Sequence, residues 1–188
     1  MDFEDDLNNS VKTLKEGGVI LYPTDTVWGL GCDATNKSAV EKIVGIKSRS
    51  TKSLIILVDG VRMLERYVMN VPEVVYELIE VSDTPLTIIY SEGKNLAPGV
   101  CSEDGSVGIR ICKDEFCRNM IQRLKKPVVS TSANTTGQTT PSNFSEIDHL
   151  IINSADYVVK HRQTDKNKFA ASPIIKVEDN GVIKIIRK

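Results

Sequence analysis

The chain predicts an α/β fold, a mixed sheet flanked by helices. Three observations point there. Short apolar runs rich in β-branched residues recur, as in Val19-Ile20-Leu21-Tyr22, Leu54 to Val58 and Val107 to Ile111. Between them lie stretches with apolar residues at helical spacing, such as Phe116, Met120, Ile121 and Leu124. Strand-like and helix-like segments therefore alternate, the pattern of an α/β protein. No internal repeat or linker interrupts it, and 188 residues suggest one domain, 1–188, with a sizeable core.

The elements follow in order. Leu7, Val11 and Leu14 mark an opening helix that Gly17-Gly18 stops. Val19 to Tyr22 is a short buried strand broken by Pro23. A polar loop over 23–34 holds a second strand around Val27 to Leu30. Asn36 caps a helix running through Ile46, with Val40, Ile43 and Val44 inward. Leu54 to Val58 is an apolar strand, followed by helices near 61–69 and 72–81, the second with Pro72 in its first turn. Leu86 to Tyr90 and Val107 to Ile111 are strands around a Gly/Ser-rich loop, 91–105. A helix over 114–125 leads to a strand at Pro127 to Ser130 and a long polar loop to Asn143. A helix near 145–152 and a strand at Tyr157-Val158-Val159 follow. Strands Pro173 to Val177 and Val182 to Arg187 finish the chain as a hairpin around Asp179-Asn180-Gly181.

Composition removes several classes. Net charge is −1, so no global basic field announces nucleic acid or a membrane surface. No apolar run spans a bilayer, and the acidic N-terminus lacks a signal core, so a cytoplasmic location is expected. Cys32, Cys101, Cys112 and Cys117 form no Cys-x-x-Cys pair, and only His149 and His161 could join them. That is poor material for a metal site, and reduced thiols are expected, with Cys32 in a turn over Gly29 to Asp33. No P-loop, dinucleotide fingerprint, zinc-protease motif or nucleophile elbow is present.

Three polar segments carry the chemistry. Ser130-Thr131-Ser132-Ala133-Asn134-Thr135-Thr136-Gly137 brings hydroxyls, an amide and backbone N–H groups into one turn. Tyr22-Pro23-Thr24-Asp25-Thr26-Val27-Trp28-Gly29-Leu30-Gly31-Cys32-Asp33 does the same after the first strand. Lys47-Ser48-Arg49 precedes the Leu54 strand and offers a point charge and a planar fork to phosphates. Taken singly, each has a plainer reading. Lys47 and Arg49 suit a helix C-terminus, and Thr24 and Thr26 suit turn capping. Arg110, inside an apolar strand, needs a partner, a ligand or a route to water. Arg187 reads equally as a solvated terminal charge.

In this order, over nearly the whole chain, the segments resemble the YrdC-like threonylcarbamoyl-AMP synthase family in its short, single-domain form. The resemblance implies a twisted open sheet with a concave ligand surface. It implies a nucleotidyltransferase that joins L-threonine, bicarbonate and ATP into L-threonylcarbamoyladenylate and pyrophosphate. The product serves N6-threonylcarbamoyladenosine modification of tRNA. By match to the family's motifs, Lys47, Arg49, Ser106, Ser132, Asn134, Thr140 and Arg187 are expected on ATP, with Lys47 and Arg49 catalytic. Thr24, Thr26, Arg110, Ser130 and Ser172 are expected on L-threonine. Mg²⁺ is expected to enter with ATP, with no protein metal site. Partners implied are tRNA threonylcarbamoyl-transferase proteins downstream, and tRNA or double-stranded RNA for some members. An RNA-binding module and a carbamoyl or adenylyl transfer to another acceptor are the alternatives. The chain departs from the pattern at Leu57, often histidine, at Ser82-Asp83-Thr84 before Pro85, usually Trp-Pro-Gly, and at Pro173, usually threonine. Ser50 and Ser53 also replace the usual loop residues.

Overall fold

The computed structural model describes residues 3–47, 54–166 and 170–188. Among the described residues the α-helices are α1 (Phe3–Lys15), α2 (Lys37–Ile46), α3 (Val61–Tyr67), α4 (Glu73–Val81), α5 (Glu115–Leu124) and α6 (His149–Ser154). The strands are β1 (Ile20–Tyr22), β2 (Gly29–Gly31), β3 (Ile55–Val58), β4 (Thr87–Tyr90), β5 (Val107–Ile111), β6 (Val128–Ser132), β7 (Tyr157–Val158), β8 (Ile174–Val177) and β9 (Ile183–Arg187). They form one open sheet in the order β7-β1-β2-β6-β3-β5-β4-β8-β9. Three pairs are parallel, β1 with β7, β3 with β5 and β4 with β8. The rest are antiparallel, so the sheet is mixed as expected.

Local chemistry explains the helix ends. Asn36 is the N-cap of α2, its side chain accepting from Ala39 N. Asp114 caps α5 in the same way through Cys117 N, and Lys125 ends that helix in the left-handed region at φ 62°. The inner face of α5 buries Phe116, Cys117, Met120, Ile121 and Leu124. Helix α1 buries Leu7, Val11 and Leu14, and Phe3 meets Phe116 edge to face at 5.6 Å. Each such fully buried side chain contributes about 1.5–3 kcal/mol of transfer free energy. One continuous cluster of buried side chains joins these helices to the sheet.

Two boundaries differ from the sequence expectation. Strand β6 continues through Ser130 and Thr131 to Ser132, because β2 and β3 pair with it on either side. The second strand, expected around Val27 to Leu30, is Gly29–Gly31, so it runs into the segment also read as a turn, and Cys32 after it is fully buried. Gly31 allows this close packing. A Cβ there would lie 2.6 Å from Tyr22 Cε1 and 2.7 Å from the Val129 carbonyl oxygen.

Candidate functional site

Strand alternation builds the site. Arg110 on β5 has Leu57 on β3 and Thr87 on β4 as lateral neighbours. Side chains two apart share a face, so Ser106, Gly108 and Arg110 face one way and Val107, Ile109 and Ile111 the other. Gly108 pairs with Ile55, and Ile55 pairs with Ser130 on β6, which extends the polar face across the sheet centre. A cleft of about 150 Å³ opens there. Its floor is Ile55, Arg110, Ser130 and Ser132, and one wall is Thr26 to Gly29. Thr140 and the Ala171, Ser172, Arg187 group complete it.

Arg110 is 4% exposed. Its Nη2 lies 3.0 Å from Asp25 Oδ1, and Nη1 donates to Ser172 Oγ at 3.2 Å. The Ser172 hydroxyl also meets Thr87 Oγ1 at 2.8 Å. Arg110 Nε is buried with no hydrogen-bond partner among the described residues. An unsatisfied donor on a buried cation is costly, so the arginine is poised for an acceptor.

Arg187 reaches the cleft through a β-bulge. Ile175 pairs with Ile185, but Ile174 pairs with Arg187, so Ile186 is an extra residue. Regular alternation would put Arg187 on the same side as Ile185. The bulge turns it to the Arg110 side instead. There its Nε and Nη2 donate to the Ser172 carbonyl at 3.1 and 2.6 Å. Ser172 thus links both arginines.

The Thr24 hydroxyl donates to Val27 O at 2.7 Å and accepts from Thr26 N at 3.0 Å. It shapes the turn behind the cleft wall, while Thr26 lines the wall itself. Trp28 both packs and lines. It lies 4.9 Å from the Phe144 ring, is 4% exposed, and borders the cleft.

Lys47, the C-cap of α2, is buried. Its ammonium donates to Ser132 O at 2.7 Å, to Asn134 O, and to Asn134 Oδ1 at 3.2 Å. Thr136 Oγ1 donates back to Lys47 O at 2.7 Å, and Ser132 Oγ donates to Asn134 Oδ1 at 2.5 Å. The polar turn is wrapped around this lysine. Asn134 lines an adjoining recess with Gln138 and Glu146. Arg49, with Ser50 and Ser53, lies outside the described residues.

Ser106 stands apart from the cleft. Its hydroxyl donates to Asp104 Oδ1 at 2.6 Å, and this bond holds the Asp104 carboxyl below its usual range. Of the expected residues, the structure therefore gathers Thr26, Arg110, Ser130, Ser132, Thr140, Ser172 and Arg187 into one cleft. Thr24, Lys47 and Asn134 sit beside it. Asp25 and Thr87 are participants that the sequence reading did not single out, because only the β4–β5 register brings Thr87, and only the fold of the loop between β1 and β2 brings Asp25, to Arg110.

Beneath the site, burial pushes the Tyr22 phenol and the Cys117 thiol well up. Both are neutral near pH 7. Among the described residues neither histidine lines the cleft, and His161 stacks on Phe116 at 5.6 Å. The site offers cations, hydroxyls and amides, which suit binding and charge neutralisation rather than proton shuttling.

The family model described as telomere recombination, Sua5/YciO/YrdC, matches residues 12–188. The chain belongs to the Sua5/YciO/YrdC family. It is 35% identical over 135 residues to the threonylcarbamoyl-AMP synthase of Psychromonas ingrahamii, covering 70% of this chain and 71% of that one. The Pseudoalteromonas translucida threonylcarbamoyl-AMP synthase is 32% identical over 154 residues, 80% of this chain and 82% of its own. P. abyssi Sua5 complexed with L-threonine superposes with a TM-score of 0.82 at 21% identity over 94% of this chain. The match spans 52% of that Sua5 chain. E. coli YciO superposes at 0.79 with 22% identity, over 97% of this chain and 88% of its own. At these identities the two structures establish the shared fold.

The departures from the Sua5/YciO/YrdC pattern have definite places. Leu57 is fully buried beside Arg110. Ser82 and Thr84 line a separate recess with Ile88, Ile109 and Ile111, on the opposite face of the sheet from Arg110. Pro173 leads into β8, its carbonyl accepting from Thr87 N at 3.1 Å.

Proposed function

We propose that the protein is a threonylcarbamoyl-AMP synthase, an enzyme that condenses L-threonine, bicarbonate and ATP. The observation that carries the reading is Arg110, a buried guanidinium on the cleft floor with an unpaired Nε among the described residues. A carboxylate is the acceptor its fork fits best. The amino-acid carboxylate is placed on Arg110, with Ser130, Thr26 and Ser172 around the rest of the molecule and Thr24 shaping the turn.

The reaction needs no covalent protein nucleophile. The threonine amine adds to CO₂ from bicarbonate and loses a proton, giving a carbamate. A carbamate oxygen attacks the α-phosphorus of ATP, and the bond to pyrophosphate breaks. The chain's contribution is to align the two substrates and neutralise phosphate charge. Ser132, Asn134, Thr140 and Arg187 are assigned to ATP, with Lys47, Arg49 and Ser106. Lys47 has three ammonium donors and three acceptors around it. A phosphate oxygen on Lys47 must displace one of them, so ATP binding is expected to shift the Ser132 to Asn134 turn.

Among the described residues no cluster of acidic, His or Cys side chains could hold a metal ion. The described side chains do not fit a Mg²⁺ cage, so Mg²⁺ is proposed only as the companion of the ATP phosphates, and no step rests on it. No helix among the described residues is long and apolar enough to cross a membrane. A single domain, cytoplasmic action on the way to tRNA modification, and transfer proteins downstream belong to the proposal. The four free cysteines fit a reducing compartment.

The test is pyrophosphate release by the purified chain with ATP, bicarbonate and Mg²⁺. Turnover with L-threonine and little with L-serine supports the synthase. Absence of threonine-dependent turnover in folded protein overturns it and favours salt-sensitive RNA binding or another acceptor.

A further inference from the structure

Asp25 sits in the loop that walls the cleft, yet it does not line the cleft. Its side chain is 7% exposed and that of Arg110 is 5% exposed, with Oδ1 and Nη2 3.0 Å apart. Oδ2 accepts from Lys113 N at 3.2 Å. The Oδ1 to Nη2 contact has the distance of an ion pair but lacks the direction of a hydrogen bond. Asp25 Oδ1 and Arg110 Nε are both buried polar atoms without a hydrogen-bond partner among the described residues. Asp25 therefore compensates the charge of Arg110 without saturating its donors.

We infer that Asp25 is the resident counter-ion of the carboxylate site and holds down its affinity for the amino acid by sharing Arg110 with the incoming carboxylate. The inference rests on the reading that Arg110 binds that carboxylate. Two carboxylates on one guanidinium repel each other, and in a buried site this repulsion is poorly screened. The carboxylate takes no part in the bond changes and must leave Arg110 with the product. A fixed negative charge behind the arginine favours that release. It also keeps the empty site electrically paired, which an unpartnered buried arginine would not be. Asp25 acts through Arg110 and is a positioning residue.

Asp25→Asn removes the charge at nearly unchanged shape, its single amide oxygen accepting from one of the two donors, Lys113 N or Arg110, that face the carboxylate. Binding of L-threonine and of L-threoninamide, which lacks the carboxylate, is measured calorimetrically on the full chain. For Asp25→Asn the threonine Kd is expected to fall about tenfold, from removal of one like charge near the site. The threoninamide Kd and the ATP KM should stay within about twofold, and Asp25→Glu should keep threonine affinity within about threefold of wild type. An unchanged or raised threonine Kd in Asp25→Asn overturns the inference, as does an equal shift for both ligands. If circular dichroism shows that Asp25→Asn does not fold, Asp25→Ser is measured with the same expectations. Wild-type protein that binds no threonine overturns the functional reading itself, which is a different result from wild-type binding with no gain in the variant.

Discussion

Ser172 holds two arginines at once, one through its hydroxyl and one through its carbonyl. This makes side-chain loss at the site unequal in effect. Arg110→Ala removes the carboxylate partner and leaves the Asp25 carboxylate unpaired in a buried place. It is expected to lower threonine kcat/KM by about a hundredfold or more and stability by about 3 kcal/mol, read by initial rates and urea melts. Ser172→Ala leaves the Arg187 contact to the carbonyl intact. It should cost about 1–2 kcal/mol and raise threonine KM more than ATP KM. Arg110 was legible in the sequence because a charge among Val107, Ile109 and Ile111 demands an explanation. Asp25 was not, because acid between two threonines looks like any turn until the loop between β1 and β2 folds against β5. Thr24 was legible as a motif residue, but the alternative of turn capping describes what its hydroxyl does in the structure.

At the scale of elements, β9 and α5 make contrasting cases. The spacing of Phe116, Met120, Ile121 and Leu124 marks α5 in the sequence, whereas Asp114, counted there as part of the helix over 114–125, is its N-cap in the structure. Asp114 also binds Arg162 Nη1 at 2.9 Å, and Arg162 Nη1 donates to Thr24 O at 3.3 Å. Asp114→Ala is therefore expected to cost about 1–2 kcal/mol in thermal or urea melts and to loosen the Thr24 turn. The bulge in β9 left no mark in the sequence, since Ile185-Ile186-Arg187 reads as ordinary strand. Deleting Ile186 should restore a regular ladder in which Arg187 still stands opposite Ile174, on the Arg110 side. The expected result is a folded protein whose ATP KM and threonine Kd both stay within about threefold of wild type, read by initial rates and calorimetry. The polar turn misled in a related way. Thr131 and Ser132 look like loop by composition, but pairing with β2 draws them into the sheet beyond Ser130.

Over the whole molecule, buried acids of the weak kind set the alkaline limit. Burial pushes the Cys32 thiol up to about 12, and burial with the Asp6 hydrogen bond pushes the Tyr157 phenol up to about 12. Tyr22, Tyr90 and Cys117 are raised as well, chiefly by burial. A folded-state pKa above the unfolded value stabilises fully below the unfolded pKa and loses that stabilisation as pH rises through the folded one. Stability should therefore fall from about pH 9 upward, toward pH 12, in urea melts taken at stepped pH. The alternation of strands and helices told the fold class from the sequence, whereas the strand order β5-β4-β8-β9 depended on pairings between distant segments. That order bears on synthesis. Strand β4 waits for β8, and β8 for β9, so a nascent chain with the residues after Val158 still in the ribosome tunnel exposes an unpaired sheet edge at Thr87 to Tyr90. Ser172 and Arg187 are both missing from the site during that interval, so the site is completed only once β8 and β9 have emerged and paired, and the chaperones that attend emerging chains have a defined edge to shield.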